Sequence, residues 1–310
     1  MLSPLKFSPI LKERIWGGRE LEKLGKKLPK GKLIGESWEI SAVDDDQSVV
    51  NCGAYEENSL GELTEVYMEE LMGDKVFQKF GNEFPLLIKF VDARDKLSIQ
   101  VHPDDELAAT RHHSYGKTEM WYVLSCDEGA SLYLGFKCKV TKEEYEKHVA
   151  AGSLADILNK IEVKKGDAFF IPAGEVHAIG AGIVIAEIQQ TSDITYRVFD
   201  WNRVDENGEG RELHTQLALD AINFEKPYKE YDITPTFEKN KVVKMQSCKY
   251  FETNVIEVDG SLERDYAALD SFVIYIAVEG KVQIKYDEGT ISVSCGESIL
   301  IPASISDVVL

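Results

Sequence analysis

GDAFFIPAGEVH, residues Gly166 to His177, predicts a strand, a turn and the start of a second strand. Ala168 to Ile171 is a short apolar run of the kind found in β-strands, and the Gly166-Asp167 pair before it is typical of a turn. Proline lacks the backbone N–H that a central strand must donate, so Pro172-Ala173-Gly174 predicts a break in the ladder. The segment should therefore present the imidazole of His177 where the second strand begins.

A second strand with metal-binding side chains lies upstream, in KLSIQVHPD from Lys96 to Asp104. Strand side chains alternate between faces. Alternation here separates three apolar residues from three polar ones, Leu97, Ile99 and Val101 against Ser98, Gln100 and His102. Gln100 and His102 are about 7 Å apart along the backbone, given the usual rise of a strand. Their side chains can reach one ion.

A third donor is predicted in GKTEMWYVL, Gly116 to Leu124. Alternation places Lys117, Glu119 and Trp121 on one face. If that face is the inner one, Glu119 points at the site; otherwise it is an ordinary solvent-exposed carboxylate. The candidate ligands would be two imidazoles, one carboxylate and one amide, from Gln100, His102, Glu119 and His177. This mixed nitrogen and oxygen set suits zinc or another divalent first-row ion.

Composition limits the classes of protein that the chain can belong to. Its 310 residues are enough to bury a large core without disulfides, and no apolar run approaches the roughly 20 residues of a membrane span. A net charge of −19, with no basic stripe, argues against nucleic acid as a partner. The first residues lack the pattern of a secretory signal peptide, so we expect the protein to be located in the cytoplasm. Five widely spaced cysteines predict reduced, mostly buried thiols.

Most of the chain is predicted to be strand, with short helices between. Strands are predicted over GESWEISAV from Gly35 and FPLLIKFV from Phe84. Helices are predicted over three segments, Ser59 to Lys79, Thr141 to Leu158 and His214 to Ile222. In the first of these, Leu60, Leu63, Val66, Tyr67 and Leu71 should form the buried stripe.

The sequence predicts that one β-unit occurs twice in the chain. GESILIPASISDVV from Gly296 parallels GDAFFIPAGEVHAI from Gly166, and Asp307 stands where His177 stands in the first copy. The second copy would therefore have kept the β-structure and lost the metal. The best boundary between the copies is the polar stretch from Glu225 to Lys241, which gives domains at residues 1–225 and 226–310. The fold class is mainly β, with two jelly-roll units and short helices.

Two charges interrupt apolar strands. Lys89 lies within PLLIKFV and Glu187 within GIVIAEI. A charge buried in a strand is costly unless it is paired or used in chemistry. The residues alone leave both readings open, a structural ion pair or a functional site. Asp104 and Asp105 follow His102 closely and are expected to orient its imidazole.

These motifs resemble a known family, the type I mannose-6-phosphate isomerases (phosphomannose isomerases) of the cupin superfamily, in their short bacterial form. The spacing of Gly166, Pro172, Gly174 and His177 matches the second cupin motif. The resemblance runs nearly end to end through six blocks: RIWGG, GESWEIS, KFVDARDKLSIQVHPDD, GKTEMWYVL, GDAFFIPAGEVHAI and QQTSDITYRVFDW. In the first cupin motif, Gln100 replaces a histidine and Glu119 lies well downstream, which is this family's own pattern.

The resemblance implies roles for nine residues. Gln100, His102, Glu119 and His177 would hold one Zn²⁺ per chain. Arg197 and Glu187 would be catalytic, and Lys89, Ser98 and Lys117 would bind substrate.

The implied reaction interconverts mannose 6-phosphate and fructose 6-phosphate through an enediol, with the metal polarising the sugar oxygens. Glu187 is the first choice of base, with His102 or a metal-bound water left open. The implied partner is a phosphorylated hexose, and the chain would be a monomer or homodimer. Two alternatives remain, a non-catalytic sugar-binding cupin and a metal-dependent isomerase or epimerase of another sugar.

Overall fold

The computed structural model describes residues 2–204, 207–225 and 234–310. Within them, the α-helices are α1 (Leu60–Met72), α2 (Asp74–Phe80), α3 (Asp105–His112), α4 (Lys142–Ala150) and α5 (Thr215–Ala221). Two short 3₁₀ helices cover Glu20–Leu24 and Leu154–Ile157. Of the helices in these ranges, none has the length and apolar character needed to cross a membrane.

The described residues also contain twenty-one strands. Those of the first unit are β1 (Ile10–Gly18), β2 (Ile34–Ile40), β3 (Ala42–Val43), β4 (Asp46–Gln47), β5 (Leu86–Ala93), β6 (Ile99–Val101), β7 (Glu119–Cys126), β8 (Ser131–Phe136), β9 (Leu158–Glu162), β10 (Ala168–Ile171), β11 (His177–Ile179), β12 (Ile183–Gln190) and β13 (Tyr196–Phe199). Those of the second unit are β14 (Val242–Ser247), β15 (Glu252–Ile256), β16 (Glu263–Asp265), β17 (Val273–Ile276), β18 (Lys281–Tyr286), β19 (Gly289–Ser294), β20 (Ser298–Ile301) and β21 (Asp307–Val309). The predicted mainly β fold is confirmed.

The first unit is a sandwich of two antiparallel sheets. One sheet has the strand order β1-β2-β5-β12-β7-β10, and the other has the order β13-β6-β11-β8-β9. Apolar side chains from both sheets pack between them, including Trp121, Phe169 and Ile185 from the first and Leu132 and Leu134 from the second. The candidate site occupies the same interior.

The outer faces of both sheets are covered as well. The outer face of the six-stranded sheet packs against α1 and against the second unit, in a cluster that includes Met120, Phe90 and Leu300. The outer face of the five-stranded sheet packs against α4 and α5, around Tyr145 and Ala218. Strands covered on both faces are apolar throughout rather than alternating. All eight residues of β5 are accordingly buried, including its lysine.

The predicted internal repeat is visible in the strand pairing. β20 pairs with β17 as β10 pairs with β7, and β21 pairs with β18 as β11 pairs with β8. The second unit encloses its own apolar core, around Ile284, Val293 and Ile299. Asp307, at the position of His177, is exposed.

Two of the three predicted helices differ from the structure in extent. The segment from Ser59 contains two helices separated by Gly73, whose φ of 88° a side-chain-bearing residue rarely adopts. Val66 was predicted to be buried but is 67% exposed, because α1 buries a narrower face around Leu60 and Leu63. α4 ends at Ala150, and the chain then forms a 3₁₀ turn and β9 instead of continuing as helix to Leu158. The third prediction matches α5 to within a residue at each end.

The two units share an extensive contact. Leu5 from the start of the chain pairs with Leu300 of β20, and Gly296 lies against the backbone of Leu24. Residues 226–233 of the predicted boundary lie outside the described residues, so the division at 225/226 stays a prediction. The cysteines are unpaired as expected, but the prediction that they are mostly buried is wrong, since Cys52 and Cys138 are exposed and the other three are half-buried.

Candidate metal centre

The strand pairing of the five-stranded sheet brings three predicted site residues into one row. Gln100 of β6 lies opposite His177 of β11 on one side and opposite Arg197 of β13 on the other. Residues directly opposite each other in an antiparallel pair point to the same face. Gln100, His177 and Arg197 therefore share the inner face, although they come from three separate parts of the chain.

The six-stranded sheet supplies the facing residues. Glu119 opens β7, and Glu187 of β12 lies between Lys89 of β5 and Trp121 of β7. Glu119, Trp121 and Glu187 point into the sandwich, so of the two possibilities that GKTEMWYVL left open for Glu119, the structure shows the inward one. The indole of Trp121 packs edge-on against the ring of His177, with 5.4 Å between centroids.

Three donor groups converge in the interior. His102 Nε2 lies 3.6 Å from Glu119 Oε2, and His177 Nε2 lies 3.3 Å from Glu119 Oε1. One ligand atom from each of these residues lies within 4.8 Å of the other two. The amide of Gln100 is 3.3 Å from His177 Nε2. The amide oxygen and nitrogen exchange places when the group rotates by half a turn, so either atom fits this position.

Backbone contacts determine which imidazole nitrogens are free. His102 Nδ1 is 2.9 Å from the carbonyl oxygen of Ile194, and His177 Nδ1 is 2.8 Å from that of Glu175. A carbonyl only accepts, so both Nδ1 atoms must carry the proton and both Nε2 atoms carry a lone pair. The expectation that Asp104 and Asp105 orient His102 is wrong. Asp104 caps α3 instead, by accepting from the backbone N–H of Leu107.

This arrangement fits a divalent cation. Two lone pairs face a carboxylate in a nearly anhydrous interior, which is repulsive unless a positive charge lies between them. His102 Nε2 and both oxygens of Glu119 are buried and have no hydrogen-bond partner among the described residues. A cation held by these atoms would satisfy them. The predicted convergence of His102, Glu119 and His177 is thereby seen in the geometry.

Burial shifts the pKa values of these groups toward their neutral forms. Burial, together with the nearby charge of Glu187, raises the pKa of Glu119 to about 7. Burial also lowers the pKa of His177 to about 4, with Lys117 adding to the shift, and lowers that of His102 for the same two reasons. The histidines are therefore neutral at pH 7, the form in which imidazole binds a metal.

An ion pair adjoins the donor groups. Lys89 Nζ lies 2.9 Å from Glu187 Oε1, and Trp121 Nε1 donates to Glu187 Oε2 at 2.8 Å. Burial would raise the pKa of Glu187, but the charges of Lys89 and Lys117 outweigh it and lower the pKa. The pKa of Lys89 is raised despite burial, because Glu187 and Glu36 both stabilise its charge. Glu187 is thus ionised in the interior.

Sequence reasoning missed two members of this charge network, Glu36 and Arg14. Arg14 Nε donates to Glu36 Oε1 at 2.9 Å, and Trp38 Nε1 donates to Glu36 Oε2 at 2.6 Å. Lys89 and Arg14 overcome the effect of burial and lower the pKa of Glu36 to about 2. The available signal was the same one that identified Lys89 and Glu187, a charge within the apolar strand GESWEIS.

The remaining predicted residues lie around the same interior. Lys117 is buried, with Nζ 3.4 Å from Glu119 Oε2. Ser98 is buried and two residues from Gln100, on the same side of the strand. Arg197 is half-buried, and its Nη1 donates to the carbonyl oxygen of Glu212 at 2.8 Å. Its buried Nε has no hydrogen-bond partner in the described part of the chain, and burial together with Arg211 lowers its pKa.

Comparison with known proteins identifies the relatives of this chain. Residues 5–124 match a family model described as phosphomannose isomerase type I, catalytic domain, and residues 241–310 match mannose-6-phosphate isomerase, cupin domain. The mannose-6-phosphate isomerase of Streptococcus mutans is 37% identical over 308 residues, which cover 98% of this chain and 94% of that protein.

Solved structures give the same picture. The crystal structure of the mannose 6-phosphate isomerase from Bacillus subtilis is 33% identical and superposes with a TM-score of 0.89, covering 99% of this chain and 96% of that one. A mannose 6-phosphate isomerase bound with zinc and yttrium superposes with a TM-score of 0.78, covering 99% of this chain and 96% of that one; at 19% identity it shows the shared fold alone.

Proposed function

The chain belongs to the type I phosphomannose isomerase family, and from this we propose that its interior centre interconverts mannose 6-phosphate and fructose 6-phosphate. The observation that carries the assignment to this site is the convergence of two imidazole Nε2 atoms, each with a lone pair, and a buried carboxylate. The reaction moves a proton between C1 and C2 of the sugar by way of an enediol. It needs a polarised oxygen, a base and stabilisation of negative charge.

Gln100, His102, Glu119 and His177 form a donor set suited to zinc, and we propose that they hold one Zn²⁺ per chain. When bound, a divalent cation supplies Lewis acidity, which polarises the sugar oxygens next to the carbon that loses its proton. The chain's contribution is to keep both imidazoles neutral and aimed at one point. Burial keeps them neutral, and the carbonyl groups of Ile194 and Glu175 orient them by holding the proton on each Nδ1.

Glu187 is proposed as the group that carries the proton between C1 and C2. Its carboxylate is ionised and buried near Glu119, where water cannot compete for the proton. When Glu187 takes up a proton, Lys89 is not left without a counter-charge, because Glu36 also stabilises it. The network therefore tolerates a change of charge on Glu187 during turnover.

Arg197 is proposed to stabilise negative charge on the reacting sugar. It lies directly opposite Gln100, is half-buried, and has a guanidinium Nε that no described residue satisfies. A guanidinium stays protonated at neutral pH even where burial lowers its pKa. Lys89 and Lys117, from the facing sheet, and Ser98, next to Gln100, are proposed to bind the phosphorylated hexose. The monomer or homodimer state and the cytoplasmic location stay expectations.

An isomerisation assay tests the proposal. The purified protein is loaded with zinc, incubated with mannose 6-phosphate, and followed for fructose 6-phosphate; the assay is repeated after chelation and after zinc is restored. We expect activity that chelation removes and zinc restores. Zinc binding without conversion would favour a non-catalytic sugar-binding cupin, and conversion of a different sugar phosphate alone would favour a related isomerase or epimerase.

A further inference from the structure

A turn of the second unit reaches the first unit beside the metal centre. Tyr250, between β14 and β15, donates from Oη to Asp105 Oδ2 at 2.6 Å, and Lys249 Nζ lies 3.2 Å from the same oxygen. Asp105 opens α3, three residues after His102. The contact therefore joins the second unit to the segment that carries a proposed metal ligand.

The other oxygen of Asp105 contacts the segment that leads into β7. The backbone N–H of Gly116 donates to Oδ1 at 3.2 Å, and Gln190 Nε2 donates to it at 2.9 Å. Gln190 is buried, and its Oε1 accepts from the backbone N–H of Thr118 at 2.9 Å. A continuous polar path thus runs from Tyr250 through Asp105 and Gln190 to Thr118.

Thr118 lies between two residues of the proposed site. Lys117 and Glu119 are both buried, and their charged groups are 3.4 Å apart. The segment rests closely on the backbone of residues 103–105, where a Cβ added to Gly116 would lie 2.6 Å from Asp105 N. A buried ammonium depends on its counter-charge and hydrogen bonds being in place. A displacement of this segment would therefore move a substrate-binding group and a metal ligand together.

We propose that Tyr250 and Asp105 are positioning residues, through which the second unit holds Lys117 and Glu119 in place for substrate. The described residues of the second unit contain no cluster of metal-binding groups, so this contact gives that unit a role at a site that it does not itself carry. The expected effect on kinetics rests on the proposed function. The expected effect on the structure of residues 115–119 rests on the hydrogen bonds alone.

The test compares Tyr250→Phe with Asp270→Ala in the zinc-loaded protein. Asp270 is a matched control, because it also joins the two units, by accepting from the backbone N–H groups of Asp74 and Lys75, at the opposite end of α2 from Phe80, which packs against Tyr115. Hydrogen exchange measured by mass spectrometry reports on residues 115–119. Steady-state kinetics with mannose 6-phosphate and zinc content by elemental analysis complete the comparison.

We expect Tyr250→Phe to speed exchange in residues 115–119 and to raise KM about 5-fold, the factor that loss of one ordinary hydrogen bond corresponds to, with kcat within about 2-fold. Asp270→Ala should leave both unchanged. Unchanged exchange in Tyr250→Phe, or equal rises of KM in the two variants, would overturn the inference. If the wild-type protein converts no mannose 6-phosphate, the proposed function fails, while faster exchange in Tyr250→Phe alone would still establish the structural path.

Discussion

The ion pair between Lys89 and Glu187 predicts an asymmetric response to mutation. Both side chains are about 5% exposed, and their charged atoms are 2.9 Å apart. Removing one partner of a buried pair typically costs 3–5 kcal/mol, because the other charge is left uncompensated. Here the two partners are not equivalent. Lys89 also faces Glu36, whereas the second cation that acts on Glu187, Lys117, is itself paired with Glu119.

Lys89→Met should therefore cost about 3–5 kcal/mol, since it leaves two buried carboxylates, Glu187 and Glu36, with Arg14 as the remaining direct partner of Glu36. Glu187→Gln should cost less, about 1–3 kcal/mol, because Glu36 still compensates Lys89 and the amide still accepts from Trp121. The double variant should cost less than the sum of the two, since its second change removes a charge that the first left unpaired.

The measurement is urea unfolding of the chelated protein, followed by tryptophan fluorescence, because Trp38 and Trp121 both contact the network. Chelation removes any contribution from bound metal. Lys165→Gln is the matched control, since its pair with Glu279 is exposed and should contribute less than about 1 kcal/mol. Equal losses for Lys89→Met and Glu187→Gln, or additive losses in the double variant, would refute the reasoning.

Three further predictions concern the metal centre. His177→Ala should abolish both turnover and zinc binding, whereas Arg197→Ala should abolish turnover and retain zinc. The circular dichroism spectrum of both variants should remain near that of wild type. An active His177→Ala variant would contradict the zinc assignment. In chelated protein, stability should fall as pH is lowered from about 6.5 to about 4, because unfolded His102 and His177 each take up a proton that the buried imidazoles refuse, whereas Glu119, which keeps a proton when folded, offsets about one of the two. A His177→Ala profile as steep as wild type would contradict this. In a thermal-shift titration, zinc added to the metal-free protein at 100 times its Kd should raise the free energy of unfolding by about 2.7 kcal/mol. At the same zinc concentration, the free energy of unfolding of a Glu119→Gln variant should rise by less.

Much of the fold could be predicted from local patterns. The strand pair around Pro172 follows from alternation and turn residues, and its recurrence at Gly296 predicted the second β-unit that the strand pairing shows. The break at Gly73 was missed because the residues on both sides favour helix. Its cause is a contact distant in sequence, since a Cβ there would lie 2.7 Å from the backbone of Asp270.

The sequence by itself determined the kinds of side chain available to the site. Strand alternation depends on neighbouring residues alone, so it placed Gln100 with His102 and Lys117 with Glu119, and it marked Lys89 and Glu187 as buried charges. The motif blocks then pointed to one family.

Tertiary structure alone decided how those side chains act together. Strand register placed Gln100 between His177 and Arg197, and carbonyl groups of Ile194 and Glu175 selected the imidazole tautomers. These contacts join residues far apart in the chain, and their distances depend on how two sheets pack. A one-dimensional pattern contains no such distances. For that reason Asp105 was expected to orient the imidazole of His102, whereas its carboxylate accepts hydrogen bonds from Tyr250 and Gln190.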